Sequence, residues 1–575
     1  MYHLDNTSGV PEMPEPKEAQ SISARWFGES QEQGGISWPG ADWFNIIQAE
    51  LLAIMQESGI HPDKARFDQI SEAIKQYTDK LIFRERTVWR RLDDTASVLD
   101  YGPANKASDA TSDAIDYLLS IGGGTLFFPR GKYTFTDTVF KTLTASIRIA
   151  LDANAEIVMA KDADLFYFKT TTGGRLLLCG EGIIRAGFVG SQAAGVSSYA
   201  AVVRFEGTSN VRAFGLEGSL RISKGVMGAF KYGLHLTDVQ DPKIFGLHID
   251  GYQQKGEQVG ICITNKNNPS VSWSFSNLDF YDVTVGVEIV TATAPGVEGV
   301  KFVDCDFVGV KHGVTYVNNS PYYPPQFEMM GCHVNSYDTC LKLDRLLDIK
   351  IIGGLYYRRG FTVDGVIQSS GSFFEILNCQ DIEINGVTGS ITNRNVDVPF
   401  IVLAGPTVSL AFARIDNNFF WANSRSSPFL TLSGSIRTVV LSAGNIKDSN
   451  GKWLVEDGVT NLASADILVQ NGLNLSPVHD GNLIISRVPF SDGVVDLSAS
   501  RAPMVSVSGA IAGQSITAFA GGRSGRTYNV LCNIAGVKLV HSSNLLLKGG
   551  GQFIFDSLNT VKQFYCITPG QYQEV

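Results

Sequence analysis

Four short segments of the chain repeat one pattern, in which an apolar residue is followed directly by an acid or a histidine. The segments are FGLHIDGY (245–252), SNLDFYDV (276–283), VDCDFVGV (303–310) and MGCHVNSY (330–337). Their apolar residues, at intervals of 31, 27 and 27, are Leu247, Leu278, Cys305 and Cys332. The polar residues that follow them are His248, Asp279, Asp306 and His333. Because neighbours on a strand point to opposite faces, the two sets predict an inward and an outward column.

Two carboxylates in one outward column are the groups that hydrolysis of a glycosidic bond requires. Stacked strands lie ~4.8 Å apart, and glycosidases hold their carboxyls ~5–5.5 Å apart for retention or ~6.5–9.5 Å for inversion. Repulsion between stacked aspartates should raise one pKa, as a general acid needs. The sequence therefore predicts Asp279, Asp306 and His333 as catalytic residues, with a solvated outer face as the alternative.

Elimination at a uronic acid is a second chemistry that the same face could perform. It requires a basic residue as general base and a cation that neutralises the carboxylate. His333, Tyr357 and Arg358 would then be the better catalytic candidates.

Aromatic and basic residues near the same level are predicted contacts to sugar. Two positions after the first column, a second outward column contains Asp250, Tyr281, Val308 and Asn335. The loop NNSPYYPPQF (318–327) and the segment FFWANSRSS add aromatic rings that could stack on sugars, although local packing is the alternative. The predicted substrate-binding residues are His248, Tyr281, Tyr322, Tyr323, Tyr357, Arg358 and Trp421.

Other acids provide competing sites on the following strands. The outward residues there are Glu288, Thr315 and Lys342, with Asp338 and Asp344 nearby, and Glu375, Asp381 and Glu383 flank another strand. Their simpler interpretation is salt links between coils.

The regular spacing of these segments also predicts the architecture that positions them. Repeats of ~20–30 residues built from strands alone are typical of a β-solenoid, in which each coil stacks on the last. A β-propeller blade needs ~40–50 residues and fits the intervals less well. We therefore expect a mainly all-β chain, with a parallel β-helix over residues 96–478 and a C-terminal β domain over residues 479–575.

The first 95 residues have a different character. Residues 1–40 are rich in Pro, Gly, Glu and Ser, which indicates an extended arm. Residues 41–95 predict a helical neck, with one helix capped by Asp42 and ending at Gly59. A second helix is expected from about Asp63 to Leu92, and its apolar spacing over residues 67–81 is that of a short coiled-coil seam.

Composition excludes several classes of function. A net charge of −10 and a pI near 5.4 disfavour nucleic acid as the partner. The chain has no GxxxxGK[ST] or HExxH motif and its eight cysteines form no CxxC, so we predict no cofactor and no metal. No apolar run approaches the ~20 residues of a membrane span. The N-terminus lacks the pattern of a secretion signal, so synthesis in a cytoplasm is expected.

Three regions of the sequence resemble known proteins. The stretch DATSDAIDYLL followed by GGGTLFFPRGKY resembles the first-coil segment of the pectate-lyase-like right-handed parallel β-helix. The arm RWFGESQEQGGISWPGADWFNIIQAELL resembles the attachment region of tail fibres and tailspikes of bacteriophages and prophages. The C-terminal stretches ITAFAGGRSGRTYNVLCN and ITPGQYQEV are similar to the strand-rich caps of such proteins.

The resemblance implies a homotrimeric tailspike carried on the virion, attached to the phage tail or baseplate through residues 1–95. It implies a depolymerase of bacterial capsular polysaccharide, with O-antigen as the second candidate. Hydrolysis is expected over elimination because of the two aspartates. The remaining alternatives are a tail fibre that binds glycan without cleaving it and a structural tail spacer that binds no ligand.

Overall fold

The computed structural model describes residues 3–575 of the chain with gaps. The gaps are residues 5–6, 19–22, 24, 81, 84–85, 88–93, 171–172, 188–194, 209–211, 226–227, 252–256, 293–295, 360, 364–365, 369–370, 392–395, 407–410, 423–426, 449–454, 460–465, 470–472, 477–483, 499–503, 533 and 556–560. The chain forms two compact units, Met1–Ala96 and Ser97–Val575.

The described residues of the first unit include two helices. Helix α1 spans Ala41–Ser58 and ends at Gly59, whose φ of 81° gives the left-handed cap that the sequence predicted. Gly40 is the N-cap, so the prediction of Asp42 in that role is wrong. Asp42 instead accepts a hydrogen bond from the backbone N–H of Lys17, at 3.1 Å.

Helix α2 spans Gln69–Lys80 and is shorter than predicted. An antiparallel pair of strands, Ile82–Phe83 and Arg86–Thr87, follows it, so a continuous helix to Leu92 is wrong. Residues 88–93 lie outside the described part of the chain. Within the described ranges, none of the helices has the length and hydropathy that crossing a bilayer requires.

The second unit is a parallel β-solenoid of about 14 turns, which confirms the predicted fold class. It begins with two 3-10 turns, Val98–Asp100 and Ala104–Lys106, and helix α3, Ala107–Ser120. Ala110, Ala114 and Leu118 of α3 are buried, and the glycine run at residues 122–124 leads directly into the first strand.

Each coil contributes one strand to each of three parallel sheets. Sheet 1 contains Gly123–Phe128, Ser146–Leu151, Arg175–Gly180, Phe214–Gly218, Lys243–Phe245, Ser274–Ser276, Val300–Val303, Phe327–Met330, Asp348–Ile352, Asp381–Asn385 and Asp466–Val469. Sheet 2 contains Gly131–Phe135, Ala155–Met159, Ile183–Ala186, Arg221–Ser223, His248–Asp250, Asp279–Tyr281, Asp306–Val310, His333–Ser336, Leu355–Arg358, Thr388–Ile391 and Leu473–Ser476. Two long strands, Ala411–Ala422 and Ile436–Asp448, run through both sheets.

Sheet 3 closes each coil. It contains Val139–Leu143, Phe166–Thr170, Ala201–Glu206, Tyr232–Thr237, Val259–Asn265, Val285–Thr291, His312–Asn318, Leu341–Asp344, Phe374–Leu377, Ile401–Ala404, Leu430–Gly434 and Val455–Val459. Short pairs at the corners are Gly195–Val196 with Gly228–Ala229, Ser270–Val271 with Val297–Glu298, and Phe361–Val363 with Val366–Gln368.

Stacked aromatic rings fill the interior between the sheets. Phe275 and Phe302 of sheet 1 stack at 4.7 Å between ring centroids, and Phe280 and Phe307 of sheet 2 stack at 4.9 Å. Full burial of one such side chain contributes roughly 1.5–3 kcal/mol. A single coil cannot bury its inner face, so the stack of coils provides the core.

The C-terminal β structure shares a sheet with the solenoid. Ile484–Ser491 pairs in parallel with Val455–Val459 and with Met504–Ser508, which in turn pairs with Thr527–Cys532. Its other strands are Val494–Asp496, Ser515–Ile516, Ala518–Ala520, Lys538–Val540, Leu545–Leu546, Gln552–Ile554, Val561–Thr568 and Gln571–Glu574. Residues from Val488 to Tyr572 form a hydrophobic cluster of their own.

Candidate functional site

The two predicted outward columns lie side by side on the outer face of sheet 2. His248, Asp279, Asp306 and His333 are direct partners in adjacent parallel strands. The apolar residues before them, Leu247, Leu278, Cys305 and Cys332, are fully buried. The predicted alternation and register are therefore confirmed. We call the first column the acid ladder, meaning His248, Asp279, Asp306 and His333.

A tight turn between sheets 1 and 2 sets the register of the acid ladder. The turn residues Gly246, Asn277, Asp304 and Gly331 have φ values of 73°, 51°, 50° and 66°. Glycine, asparagine and aspartate adopt this left-handed conformation most readily. Because each of these four coils turns within two residues, equivalent side chains stack at the strand spacing, ~4.8 Å.

One end of the ladder is a hydrogen-bonded cluster around Asp250. The Asp250 carboxylate accepts from Arg221 Nη2 at 2.7 Å and lies 3.0 Å from His248 Nε2. Burial acts to raise the pKa of Asp250, but the hydrogen bonds from Arg221 and His248 outweigh it and hold that pKa below its usual value. The other ring nitrogen of His248 lies 3.4 Å from Asp279 Oδ2. His248 thus connects the low-pKa carboxylate to the ladder and orients Asp279.

Asp306 has the opposite electrostatic environment. Burial, together with the negative charges of Asp279 and Asp304, raises the pKa of Asp306, and His333 offsets only part of this rise. His333 Nδ1 lies 3.8 Å from Asp306 Oδ1. A carboxyl whose pKa is raised can act as proton donor beside a second carboxyl that serves as nucleophile or base. The geometry is therefore compatible with acid–base chemistry at Asp279 and Asp306.

The second column carries aromatic rings along the same face. In strand order it contains Asp250, Tyr281, Val308, Asn335, Tyr357, Ser390 and Trp421. The Tyr281 ring lies 5.2 Å from that of His248, and burial with the neighbouring aspartates raises the pKa of Tyr281. Within the described residues, the buried Asn335 Oδ1 has no hydrogen-bond partner. The structure thus brings Tyr281, Tyr357 and Trp421 into one column, in which Tyr281 lies level with Asp279 while Tyr357 and Trp421 continue past His333.

Tyr322 and Tyr323 are not part of this face. Their loop joins His312–Asn318 of sheet 3 to Phe327–Met330 of sheet 1, at the corner of the coil that sheet 2 does not touch. Asn318 Nδ2 donates to the backbone oxygen of Tyr322 at 2.6 Å and fixes the loop. Within one chain, these two rings therefore line no groove with the acid ladder.

Arg358 does not face solvent, so its predicted contact with substrate is wrong. Its side chain is fully buried, and its guanidinium donates to the backbone oxygens of Gly371 and Ser336, each at 3.2 Å. The alternation along Leu355–Arg358 turns Tyr357 outward and Tyr356 and Arg358 inward. Arg358 satisfies backbone carbonyls inside the coil instead.

The competing acids of sheet 3 and its flanks are tied into links between coils. Lys342 Nζ lies 3.6 Å from Glu375 Oε2, and Thr339 Oγ1 donates to Glu375 Oε1 at 2.6 Å. The buried thiol of Cys262 lies 3.7 Å from Glu288 Oε2, and Asn378 donates to Asp344 at 2.7 Å. Of these contacts, Lys342–Glu375 is an ion pair between coils, as the simpler interpretation predicted, whereas the contacts of Glu288 with Cys262 and of Asp344 with Asn378 are hydrogen bonds to neutral groups.

The sequence did not predict two groups of the structure. The first is Arg221, which binds Asp250. Arg221 follows the buried Leu220 as His248 follows Leu247, so the interval of 27 residues between the two leucines could have identified it. On sheet 3, Arg204 pairs with Asp164 at 2.7 Å and hydrogen-bonds His235. Burial, with the charge of Arg204, lowers the pKa of His235 to about 4. No repeat in the sequence marked this second cluster.

Among the described residues, no three His, Cys, Asp or Glu side chains come together as a metal site would require.

No protein-family model matches the chain. Among solved structures, it is similar to the adhesin PfbA of Streptococcus pneumoniae, with 14% identity, a TM-score of 0.41, and coverage of 66% of this chain and 97% of that one. The Yersinia enterocolitica family 28 exopolygalacturonase has 12% identity and a TM-score of 0.36, over 67% of this chain and 78% of that one. The Dettilon tailspike protein has 12% identity and a TM-score of 0.35, over 70% and 72%.

Two curated relatives share a short segment with this chain. Tail fiber protein S of Escherichia phage Mu is 48% identical over 75 residues, which is 13% of this chain and 15% of that protein. The Mu-like prophage FluMu defective tail fiber protein of Haemophilus influenzae is 48% identical over 79 residues, 14% of this chain and 12% of that protein. The chain therefore spans less than one sixth of the length of either relative. Through this segment, the chain is related to the tail fibre proteins of Mu and Mu-like phages.

Proposed function

We propose that this protein is a phage tail fibre of the tailspike type, carried on the virion tail, whose solenoid binds and hydrolyses a bacterial surface polysaccharide. Capsular polysaccharide is the proposed substrate, with O-antigen as the second candidate. The observation that carries the proposal is the adjacency of Asp279 and Asp306 in register, with the pKa of Asp306 raised. The related tail fibre proteins support the assignment to the tail.

In this proposal, Asp306 is the general acid and protonates the glycosidic oxygen. Asp279, oriented by His248, attacks the anomeric carbon as the glycosidic bond breaks, since a spacing of one strand favours the retaining geometry. A water that gives its proton to Asp306 then releases the sugar from Asp279. His333 lies beside Asp306 and adjusts its proton affinity. Tyr281, Tyr357 and Trp421 hold the polysaccharide along the second column, parallel to the axis of the solenoid.

The test is release of reducing ends from purified capsular polysaccharide by the wild-type protein and by Asp306→Asn. The substitution keeps the shape of the side chain and removes the proton. Hydrolysis by wild type and its loss in the variant would support the proposal. Products that absorb as unsaturated uronates would replace hydrolysis with elimination, and His333 or Tyr357 would then be tested as the base.

A tail fibre that binds glycan without cleaving it is the second candidate. It is favoured by the openness of the ladder, since the side chains of Asp279 and Asp306 are 43% and 47% exposed. Binding of labelled polysaccharide with no release of reducing ends by wild type would establish this candidate.

Assembly and attachment belong to the same proposal. We expect a homotrimer that joins the phage tail through residues 1–95. The N-terminal unit supports this role because Trp26, Trp38 and Phe67 are 91%, 85% and 98% exposed, and exposed aromatic groups favour contacts with partners. Sedimentation of the full chain should give three copies. Removal of residues 1–95 should abolish incorporation into tails and leave the cleavage of free polysaccharide unchanged.

A further inference from the structure

A cavity of about 440 Å³ lies on the outer face of sheet 1, which the turns of the coils separate from sheet 2 and its acid ladder. The strands Arg175–Gly180, Phe214–Gly218 and Lys243–Phe245 form it. Gly215 stands in register between Leu177 and Lys243. A Cβ at Gly215 would lie 3.2 Å from Cδ1 of Leu177. The missing side chain therefore opens the cavity between two side chains that project outward.

The cavity carries unpaired positive charge in a protein whose net charge is −10. Of its charged lining residues, Arg212 pairs with Asp241, and Glu217 pairs at 3.1 Å with Arg148. Those two carboxylates are therefore occupied. In the part of the chain that the structure describes, the side chains of Arg175 and Lys243 have no ion-pair partner. They approach the opening from strands that are two strand spacings apart, ~9.6 Å, and Arg175 lies two residues before Leu177, the position in register with Lys243.

One wall of the cavity is apolar and aromatic. The Phe245 side chain is 47% exposed, and Leu177 is half-buried beside Gly215. A fully hydrated inorganic anion gains nothing from such a wall, whereas the C–H face of a sugar ring does. The volume lies within the range of ~300–1,000 Å³ that small-ligand sites occupy.

We propose that this cavity binds an acidic sugar, with the carboxylate of a uronate between Arg175 and Lys243 and its ring against Phe245. The site is separate from the acid ladder, although Phe245 and His248 are three residues apart across one turn. A polysaccharide held here is anchored at the edge of the face on which the ladder lies. The proposal does not depend on cleavage, because binding at the cavity is measured directly.

The experiment is calorimetric titration of the full chain with hyaluronan tetrasaccharide, which carries glucuronate, and with its methyl ester. The ester keeps the shape of the sugar and removes the charge. We expect the acid to bind at least ~10-fold more tightly than the ester, the loss typical of a hydrogen bond to a charged group. Arg175→Gln and Lys243→Gln should each weaken binding of the acid by about the same factor, and added salt should weaken it further. Gly215→Leu should abolish binding by filling the cavity.

The matched control is Lys301→Gln, in the same outer column as Lys243 but paired with Glu328 at 3.3 Å. It should leave the affinity unchanged. Equal binding of acid and ester, or equal loss in Lys301→Gln and Lys243→Gln, would overturn the proposal. Displacement of the tetrasaccharide by equimolar inorganic phosphate would also overturn it, since the site would then select charge alone. Arg175→Gln and Lys243→Gln test the proposal even if Gly215→Leu fails to fold.

Discussion

Sheets 1 and 2 arrange charge in opposite ways along outer columns of the same coils. On sheet 1 the residues in register alternate in sign, in the order Lys301, Glu328, Lys350, Glu383 and Arg414. Glu328 forms ion pairs on both sides, with Lys301 Nζ at 3.3 Å and Lys350 Nζ at 4.0 Å. On sheet 2, Asp279 and Asp306 are partners with the same charge.

The charges on sheet 1 therefore stabilise the fold, whereas the like charges on sheet 2 do not. Opposite charges on neighbouring strands contribute roughly 0.2–1 kcal/mol, and like charges are destabilising. The alternating column shows that this solenoid accommodates the favourable arrangement. The ladder retains repulsion that a single substitution would remove. Burial is the largest cause of the raised pKa of Asp306, and the charge of Asp279 adds to it. A local conflict of this kind is typical of a functional site.

The largest expected effect contrasts the two acids of the ladder with one acid of the alternating column on sheet 1. Asp306→Asn and Asp279→Asn should each lower the rate of polysaccharide cleavage by at least ~100-fold, the usual contribution of a general acid or base. Glu328→Gln, the matched control on sheet 1, should retain the wild-type rate. Reducing-end release by folded protein is the measurement. Wild-type turnover in both ladder variants would show that the ladder is a solvated outer face without a catalytic role.

The next effect concerns binding along the second column. Tyr357→Ala and Trp421→Ala should each weaken polysaccharide binding by about tenfold, or ~1.4 kcal/mol. Met330→Ala and Ile352→Ala are the controls, because these exposed apolar residues share one outer column of sheet 1. Affinity is measured by titration of the Asp306→Asn background, so that cleavage does not interfere. A similar loss in the controls would place the polysaccharide on both sheets.

The alkaline limb of the pH–rate profile should respond to the neighbours of Asp306. A general acid must be protonated, so activity should fall as pH rises through the pKa of Asp306. The charge of Asp304 raises that pKa and His333 lowers it. Asp304→Asn should therefore move the limb to lower pH and His333→Gln to higher pH, each by less than about one unit. Movement of both in one direction would show that another group sets the limb.

Sequence periodicity was sufficient to predict the fold and the register of the ladder. Leu247 and its equivalents repeat once per coil, and a chain that must bury them has one register available. The periodicity could not predict the inward turn of Arg358, because a buried guanidinium depends on the carbonyls of Gly371 and Ser336, which are distant in sequence. It also could not place Tyr322, since a loop carries no period. Gly215 became informative only with its neighbours Leu177 and Lys243 in register.

The smallest expected effect is on the free energy of unfolding at pH 7, which Asp306→Asn should raise and Glu328→Gln should lower. The pKa of Asp306 in the folded protein is above its ordinary value of 3.8, so the folded state binds the proton more tightly than the unfolded state. The cost to stability therefore appears as pH rises through 3.8 to the folded pKa, and it persists at neutral pH. Asp306→Asn should remove it and stabilise the protein slightly at pH 7, by less than ~0.5 kcal/mol because the group is half exposed. At pH 3, where the wild-type carboxyl is protonated, the gain should vanish.

Glu328→Gln removes a favourable pair and should destabilise the protein at pH 7 by roughly 0.2–1 kcal/mol. Thermal unfolding of both variants at the two pH values is the measurement. Destabilisation by Asp306→Asn at pH 7 would mean that the ladder is held by pairing, as sheet 1 is, and would remove the electrostatic reason for placing chemistry there.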